Sequence, residues 1–185
     1  MPDASRPEPP RTVPVDPASP PHGDAQFNSA LRALTVVLIR IAASTINRVD
    51  LYMCNDGSGF RHALPLTLGV DGAGVIEAVG ANVKARKPGE RVVLYPARFG
   101  LDEFSRRGDQ MLSYARAVPG ENVDGCFADY IAMPEECAFP NAPSLSFQHA
   151  AVLPTAYLTA WRMVVTAGAI TQEDWVLIHG IHCTE

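Results

Sequence analysis

Between about Leu31 and Phe139 no pattern persists for long: short runs rich in β-branched residues are cut off by glycine or proline turns. Thr35-Val-Val-Leu-Ile-Arg-Ile-Ala predicts a strand, because branched side chains suit a pleated surface. Val70 to Val79 carries Gly72 and Gly74 beside the strand-like Val75-Ile76. Lys87-Pro-Gly-Glu-Arg-Val-Val-Leu-Tyr places a turn before a further strand. Asp124-Gly125 turns into Phe127-Ala-Asp-Tyr-Ile-Ala-Met, which predicts another. Chains punctuated in this way fold as small barrels or sandwiches.

The pattern changes after Phe139. Ser146 is placed to cap a short helix through His149 and Val152, which Pro154 should break. A second helix is expected from about Ala156 to Thr166, with Leu158, Trp161, Met163 and Val165 largely buried and Gly168 as its stop. Trp175-Val-Leu-Ile-His-Gly then reads as the first strand of a parallel sheet. Strands followed by helices and a buried strand-to-glycine turn predict two domains.

Before Leu31 the chain has little to bury. Eight of the 16 prolines lie between Met1 and Pro21, so residues 1–30 are expected to be a disordered, proline-rich tail. A net charge of -5 and no basic stripe argue against nucleic acid. No apolar run is long enough to span a membrane, and Leu34 to Ala43 is interrupted by Arg40. Cys54, Cys126, Cys137 and Cys183 form no C-x-x-C pair. With no hydrophobic signal core, they point to a reducing, cytoplasmic setting.

Five segments, in order, carry a family resemblance. Ile41-Ala-Ala-Ser-Thr-Ile-Asn-Arg-Val-Asp-Leu-Tyr is similar to the A-x-x-x-N-x-x-D-x-Y segment of quinone-reductase-like medium-chain dehydrogenases/reductases. Leu68-Gly-Val-Asp-Gly-Ala-Gly-Val-Ile-Glu-Ala-Val-Gly resembles that family's glycine-rich strand pair, and Pro88-Gly-Glu-Arg-Val its G-D-R-V turn. Asp124-Gly-Cys-Phe-Ala-Asp-Tyr matches G-x-[FY]-A-[DE]-Y, and Ala150-Ala-Val-Leu-Pro-Thr-Ala-Tyr-Leu-Thr-Ala-Trp its A-A-x-L-P-x-x-x-x-T-A helix pair. The resemblance implies a mostly β fold with short helices: a GroES-like barrel, then a helix pair and the first strand of an incomplete Rossmann α/β domain. It divides the chain into the tail, a GroES-like catalytic barrel at 31–153 without the usual N-terminal hairpin, and 154–185 as connecting helix and start of a truncated nucleotide-binding domain.

Many relatives hold one catalytic and one structural zinc, and both need Cys, His or carboxylate ligands. By the motif match, the catalytic ligand positions are Asn47, Val70 (followed by Asp71) and Thr155, so Asp71 alone retains a ligand group. The four-cysteine pattern of the structural lobe falls on Phe99, Asp102, Ser105 and Ser113, with Gly108 and Leu112 kept. The resemblance therefore implies no metal site, and a loop from Phe99 to Asn122 made mobile by the loss of its cross-link.

What it implies instead is a zinc-independent site for NAD(P)H and a small carbonyl, quinone or enone. Asn47, Arg48 and Asp50 lie at the nicotinamide-ribose end of the cofactor, and Thr155 at the nicotinamide edge. Tyr52 stands where relatives often place a proton-relay histidine, so its phenol would donate to the substrate. The alternatives are a half-buried barrel tyrosine at Tyr52 and a mere helix-start residue at Thr155. His62, His149 and His179 are assigned packing or surface roles, and the full-length family implies a homodimer.

A dinucleotide site needs further glycines and a helix N-terminus after the first strand. Val176-Leu-Ile-His-Gly begins such a site with Gly180 at the cofactor, but Ile181-His-Cys-Thr-Glu follows. The expectation is thus an oxidoreductase of the quinone/enone reductase type, here an inactive or incomplete fragment that binds no cofactor by itself. The alternatives are a zinc-type alcohol dehydrogenase relative without its metal sites, and a non-enzymatic GroES-like binding module.

Overall fold

The computed structural model describes residues 35–54, 64–99, 102–114 and 116–179. The proline-rich segment, His62, Gly180 and Cys183 lie outside them. Five antiparallel strands form one sheet: β1 (Val36–Thr45), β2 (Asp71–Val79), β3 (Arg91–Leu94), β4 (Tyr130–Pro134) and β5 (Ala138–Pro140), in the order β4-β1-β2-β3-β5. Short helices lie along it: α1 (Arg48–Met53), α2 (Glu103–Arg107) and α3 (Phe147–Ala151).

Alternation along the strands builds the core. Val37 and Ile39 of β1 point inward with Ile76, Val92, Leu94, Ile131 and Met133, while Arg40 points out and pairs with Glu77 at 3.5 Å. Gly74 lets β1 and β2 approach closely, since a Cβ there would overlap the Arg40 carbonyl oxygen. On the other face of the sheet, Ala150 and Ala151 of α3 pack on Ala73. Arg91 ties β3 to that helix, its guanidinium 3.8 Å from the Phe147 ring centre and donating to the Leu145 carbonyl at 2.8 Å.

The mostly β, GroES-like half-barrel and its short helices agree with expectation. So does the Ser146 cap, whose Oγ accepts the His149 N–H at 3.2 Å. Three elements differ. The strand expected from Phe127 starts only at Tyr130, because the N–H groups of Gly125, Cys126 and Phe127 bond the carbonyls of Thr67, Gly69 and Leu68. Pro154 does not separate two helices. A helical run continues as a π-turn (Leu153–Tyr157), then α4 (Leu158–Trp161), then a second π-turn (Arg162–Ala167). Pro154 sits at the start of the first π-turn, where its missing N–H removes no intrahelical bond. Finally, residues 175–179 form no strand: none of the described strands pairs with them, and Trp175, Leu177 and Ile178 are exposed. The expected burial of Leu158, Trp161, Met163 and Val165 is likewise corrected, since nothing among the described residues covers them.

Candidate functional site

Asp71, the first residue of β2, is fully buried in a glycine-rich strand. A carboxylate in that position requires donors. It has them from three segments: Oδ2 accepts from Asn47 Nδ2 at 2.9 Å and from Thr45 Oγ1 at 3.2 Å, and Oδ1 accepts from Thr155 Oγ1 at 2.7 Å. The Thr155 backbone N–H adds to the stabilisation of its charge. Burial raises the Asp71 pKa, and the bonds from Thr155, Asn47 and Thr45 counter that rise. Beside this cluster the Cys126 thiol is pushed up to about 12, first by burial and then by the charges of Asp71 and Asp50.

The strand-to-helix turn is held by a second carboxylate. Asp50 is 3 % exposed; its Oδ2 accepts from the Asn47 N–H at 2.7 Å and its Oδ1 from the Gly69 N–H at 3.0 Å. Asp50 therefore joins the start of α1 to the segment leading into β2. Arg48 and Tyr52 stand on the outer side of α1, the Arg48 guanidinium 5.9 Å from the Tyr52 ring centre and Tyr52 43 % exposed.

The structure thus brings Asn47 and Thr155 together, on Asp71. Asp50 lies behind them, and Arg48 and Tyr52 form an exposed edge. Sequence reasoning missed the part played by Asp71, which it treated only as a residual ligand. The signal was present: a charged residue within Val-Asp-Gly-Ala-Gly-Val must find hydrogen-bond donors if that strand is buried. The positions the resemblance assigns to a catalytic ion do not make a zinc-ligand set. Asn47 and Thr155 turn their donors toward Asp71, and Val70 offers no donor atom. No group of three or more His, Cys, Asp or Glu comes together among the described residues.

An apolar cavity of about 580 Å³ lies elsewhere, between β3, β5 and the helical run, lined by Val93, Tyr95, Phe139, Leu153, Tyr157 and Trp161 among others. Asp71, Asn47 and Tyr52 are not among its lining residues. It is a separate feature of the fold. No helix among the described residues is long and apolar enough to cross a membrane.

A half-open antiparallel barrel, with a polar cluster where β1, β2 and the first helical turn after the barrel meet, defines a GroES-like domain. Residues 34–144 match the alcohol dehydrogenase GroES-like domain, and the chain belongs to that family, within the medium-chain dehydrogenases/reductases. An alcohol dehydrogenase of Geobacillus stearothermophilus is 34% identical over 148 residues, covering 78% of this chain and 43% of that protein. A quinone oxidoreductase of Mus musculus is 29% identical over 144 residues, covering 78% of this chain and 36% of that protein. Among solved structures, an NAD-dependent alcohol dehydrogenase superposes with a TM-score of 0.71 at 34% identity, covering 76% of this chain and 41% of that one. A cobalt- and zinc-bound thermostable alcohol dehydrogenase from Pyrobaculum aerophilum gives 0.63 at 28% identity, covering 72% and 40%. The chain therefore spans about two fifths of the length of these relatives.

Proposed function

We propose that this chain supplies the substrate-side domain of an NAD(P)H-dependent oxidoreductase that reduces a quinone, enone or related carbonyl without zinc. The observation that carries the reading is the Asp71 cluster. Asn47 and Thr155, at two of the positions where relatives would place metal ligands, are bound to a carboxylate instead. The similarity to quinone oxidoreductases supports the same reading.

The cofactor, when bound, would supply hydride from its nicotinamide ring. The residues of this chain would then have separate tasks. Asp71 is an acceptor when ionised, so Thr155 must give it the hydroxyl proton and can offer a partner only its oxygen lone pairs. That oxygen suits a donor such as the N–H of a carboxamide. Tyr52, exposed beside Arg48, carries a phenolic O–H that can donate to a carbonyl oxygen and deliver a proton. Asn47 and Arg48 would face the cofactor, and buried Asp50 would support them by holding the turn. Gly180, outside the described residues, would meet the pyrophosphate. We place the barrel at residues 31–153 and the connection to a nucleotide-binding unit after it. The uncovered apolar side chains of the helical run, Trp161 at 62 % exposure among them, support that division.

The test is quinone-dependent oxidation of NADPH and NADH by the protein carrying this domain, with and without a strong chelator. Turnover that survives chelation and falls on Tyr52→Phe supports the reading. Turnover abolished by chelation and restored by zinc would overturn it.

A further inference from the structure

The lobe between β3 and β4 carries a second aspartate-centred cluster. By the family pattern its four cysteine positions are Phe99, Asp102, Ser105 and Ser113, none of them a thiol. Three of the four nevertheless meet. Asp102 Oδ1 accepts the Ser105 N–H at 2.9 Å, and Oδ2 accepts the Ser113 hydroxyl at 2.7 Å and the Tyr114 N–H at 2.8 Å. One carboxylate thus starts α2 and ties it to Ser113 and Tyr114. The fourth position, Phe99, packs its ring against Tyr95, with centroids 6.0 Å apart.

Other contacts complete the closure. Arg98 and Ala117 exchange backbone hydrogen bonds of 2.7 and 2.9 Å at the base. Phe104 and Tyr114 meet edge to face at 5.1 Å. Gly108 ends α2 at φ 88, a conformation that suits glycine. The lobe reaches the barrel through Tyr95, whose hydroxyl lies 3.8 Å from Met111 Sδ and whose ring lines the apolar cavity. The loop expected from Phe99 to Asn122 lacks the four thiolates, and its described residues are joined instead by these hydrogen bonds.

We infer that Asp102 is the clasp of this lobe, joining with hydrogen bonds three of the four positions that an ion joins through thiolates in zinc-binding relatives, and so holding Met111 against the cavity wall at Tyr95, where Phe99 also packs. The inference stands apart from the oxidoreductase reading, because it concerns the lobe alone and needs no turnover. A carboxylate accepting three bonds at 2.7–2.9 Å has the geometry of charge-assisted hydrogen bonds. The same bonds hold the Asp102 pKa far below the usual carboxylate range, so the clasp keeps its charge at neutral pH.

Arg106 and Arg107 are exposed within the lobe and report on it through trypsin. In the wild-type chain, cleavage after these residues should be slow and indifferent to chelator or added zinc. Asp102→Ala should accelerate it about tenfold, with Asp102→Asn and Ser113→Ala intermediate, as expected where local opening limits proteolysis. Cleavage at barrel sites should not change. If Asp102→Ala unfolds the whole domain, the two milder variants decide, at matched melting temperature. Wild-type rates in all three variants would overturn the clasp. So would faster wild-type cleavage on chelation, which would show that an ion holds the lobe.

Discussion

Thr155 donates its hydroxyl to Asp71 at 2.7 Å although 84 residues separate them, so the first turn after the barrel is anchored to the first residue of β2. That bond joins the two parts of the chain at the candidate site. Replacing Asp71 by Ala would leave the Thr155 hydroxyl and the Asn47 amide without their acceptor, and the Thr45 hydroxyl with only the Ala151 carbonyl at 3.4 Å. Each buried donor left unpaired costs roughly 1–3 kcal/mol, less where water can enter. Asp71→Asn preserves the shape but turns an amide donor toward other donors, so it too should destabilise. Urea unfolding at neutral pH should show lower midpoints for both variants with unchanged slope. A variant as stable as wild type would remove the cluster's structural role.

The two aspartates should respond to acid with opposite signs. Burial raises the Asp71 pKa above its unfolded value, so between the two values the folded state holds a proton the unfolded state lacks. The contribution of Asp71 to stability is therefore present below the unfolded pKa and falls as pH rises through the folded one. Asp102 is lowered by its bonds to Ser105 and Ser113, so its contribution is present above the unfolded pKa and lost as pH falls below it. Stability measured from pH 2 to 7 should show the wild-type advantage over Asp102→Asn growing up to about pH 4–5 and then levelling. The corresponding difference for Asp71→Asn should shrink as pH rises. Parallel curves for the two variants would contradict this assignment.

The alternation Val37, Ile39 and the turn before Arg91 made the sheet legible, because a half-buried strand writes its two faces into a period of two. What sequence pattern does not carry is partnership. Trp175 to His179 has the composition of a buried strand, yet composition does not supply a neighbour to pair with, and those residues stand exposed. The Asp124-Gly125 turn predicts a strand from Phe127, while the Phe127 N–H is taken by the Leu68 carbonyl. Asp71 and Asp102 were legible as departures from a ligand pattern. Their role as acceptors depends on donors 84 and 11 residues away, distances at which local pattern is silent.

Thiol chemistry should divide the cysteines. Burial, reinforced by nearby acidic groups, pushes Cys126 and Cys137 up to about 12, whereas Cys54 is exposed on the C-terminal side of α1. Thiolate is the reactive form, so brief alkylation of the native chain at pH 8 should label Cys54 and spare the two buried thiols. Peptide mapping by mass spectrometry reads this directly. Equal labelling of Cys126 would mean that the β1–β2 wall opens on that timescale.

Gly74→Ala tests the close approach of β1 and β2. The added Cβ would meet the Arg40 carbonyl, a backbone atom that moves only if the strand pair separates. The expected loss is about 1–3 kcal/mol, the usual range for overpacking a tight interior. A melting temperature within a degree of wild type would show that the bulged register near Ile41 yields at little cost.

The last prediction separates Tyr52 from Thr155 in the proposed enzyme. Tyr52 is exposed on α1 and makes a ring contact with Arg48, so removal of its hydroxyl should leave the fold unchanged. If the phenol delivers a proton only as the carbonyl is reduced, Tyr52→Phe should lower kcat and kcat/KM together, by about 10²–10⁴-fold for a general acid. Thr155 differs because its oxygen faces Asp71 with the proton already committed. Thr155→Val removes both that bond and the outward lone pairs, so it should lower stability and raise the KM for the cofactor more than it lowers kcat. Thr155→Ser keeps the hydroxyl and should restore both. Steady-state kinetics with the cofactor varied, alongside unfolding curves for the same proteins, distinguishes the two residues. If Tyr52→Phe left kcat untouched while Thr155→Val abolished it, the proton would come from the Asp71 side of the site, and the roles would be exchanged.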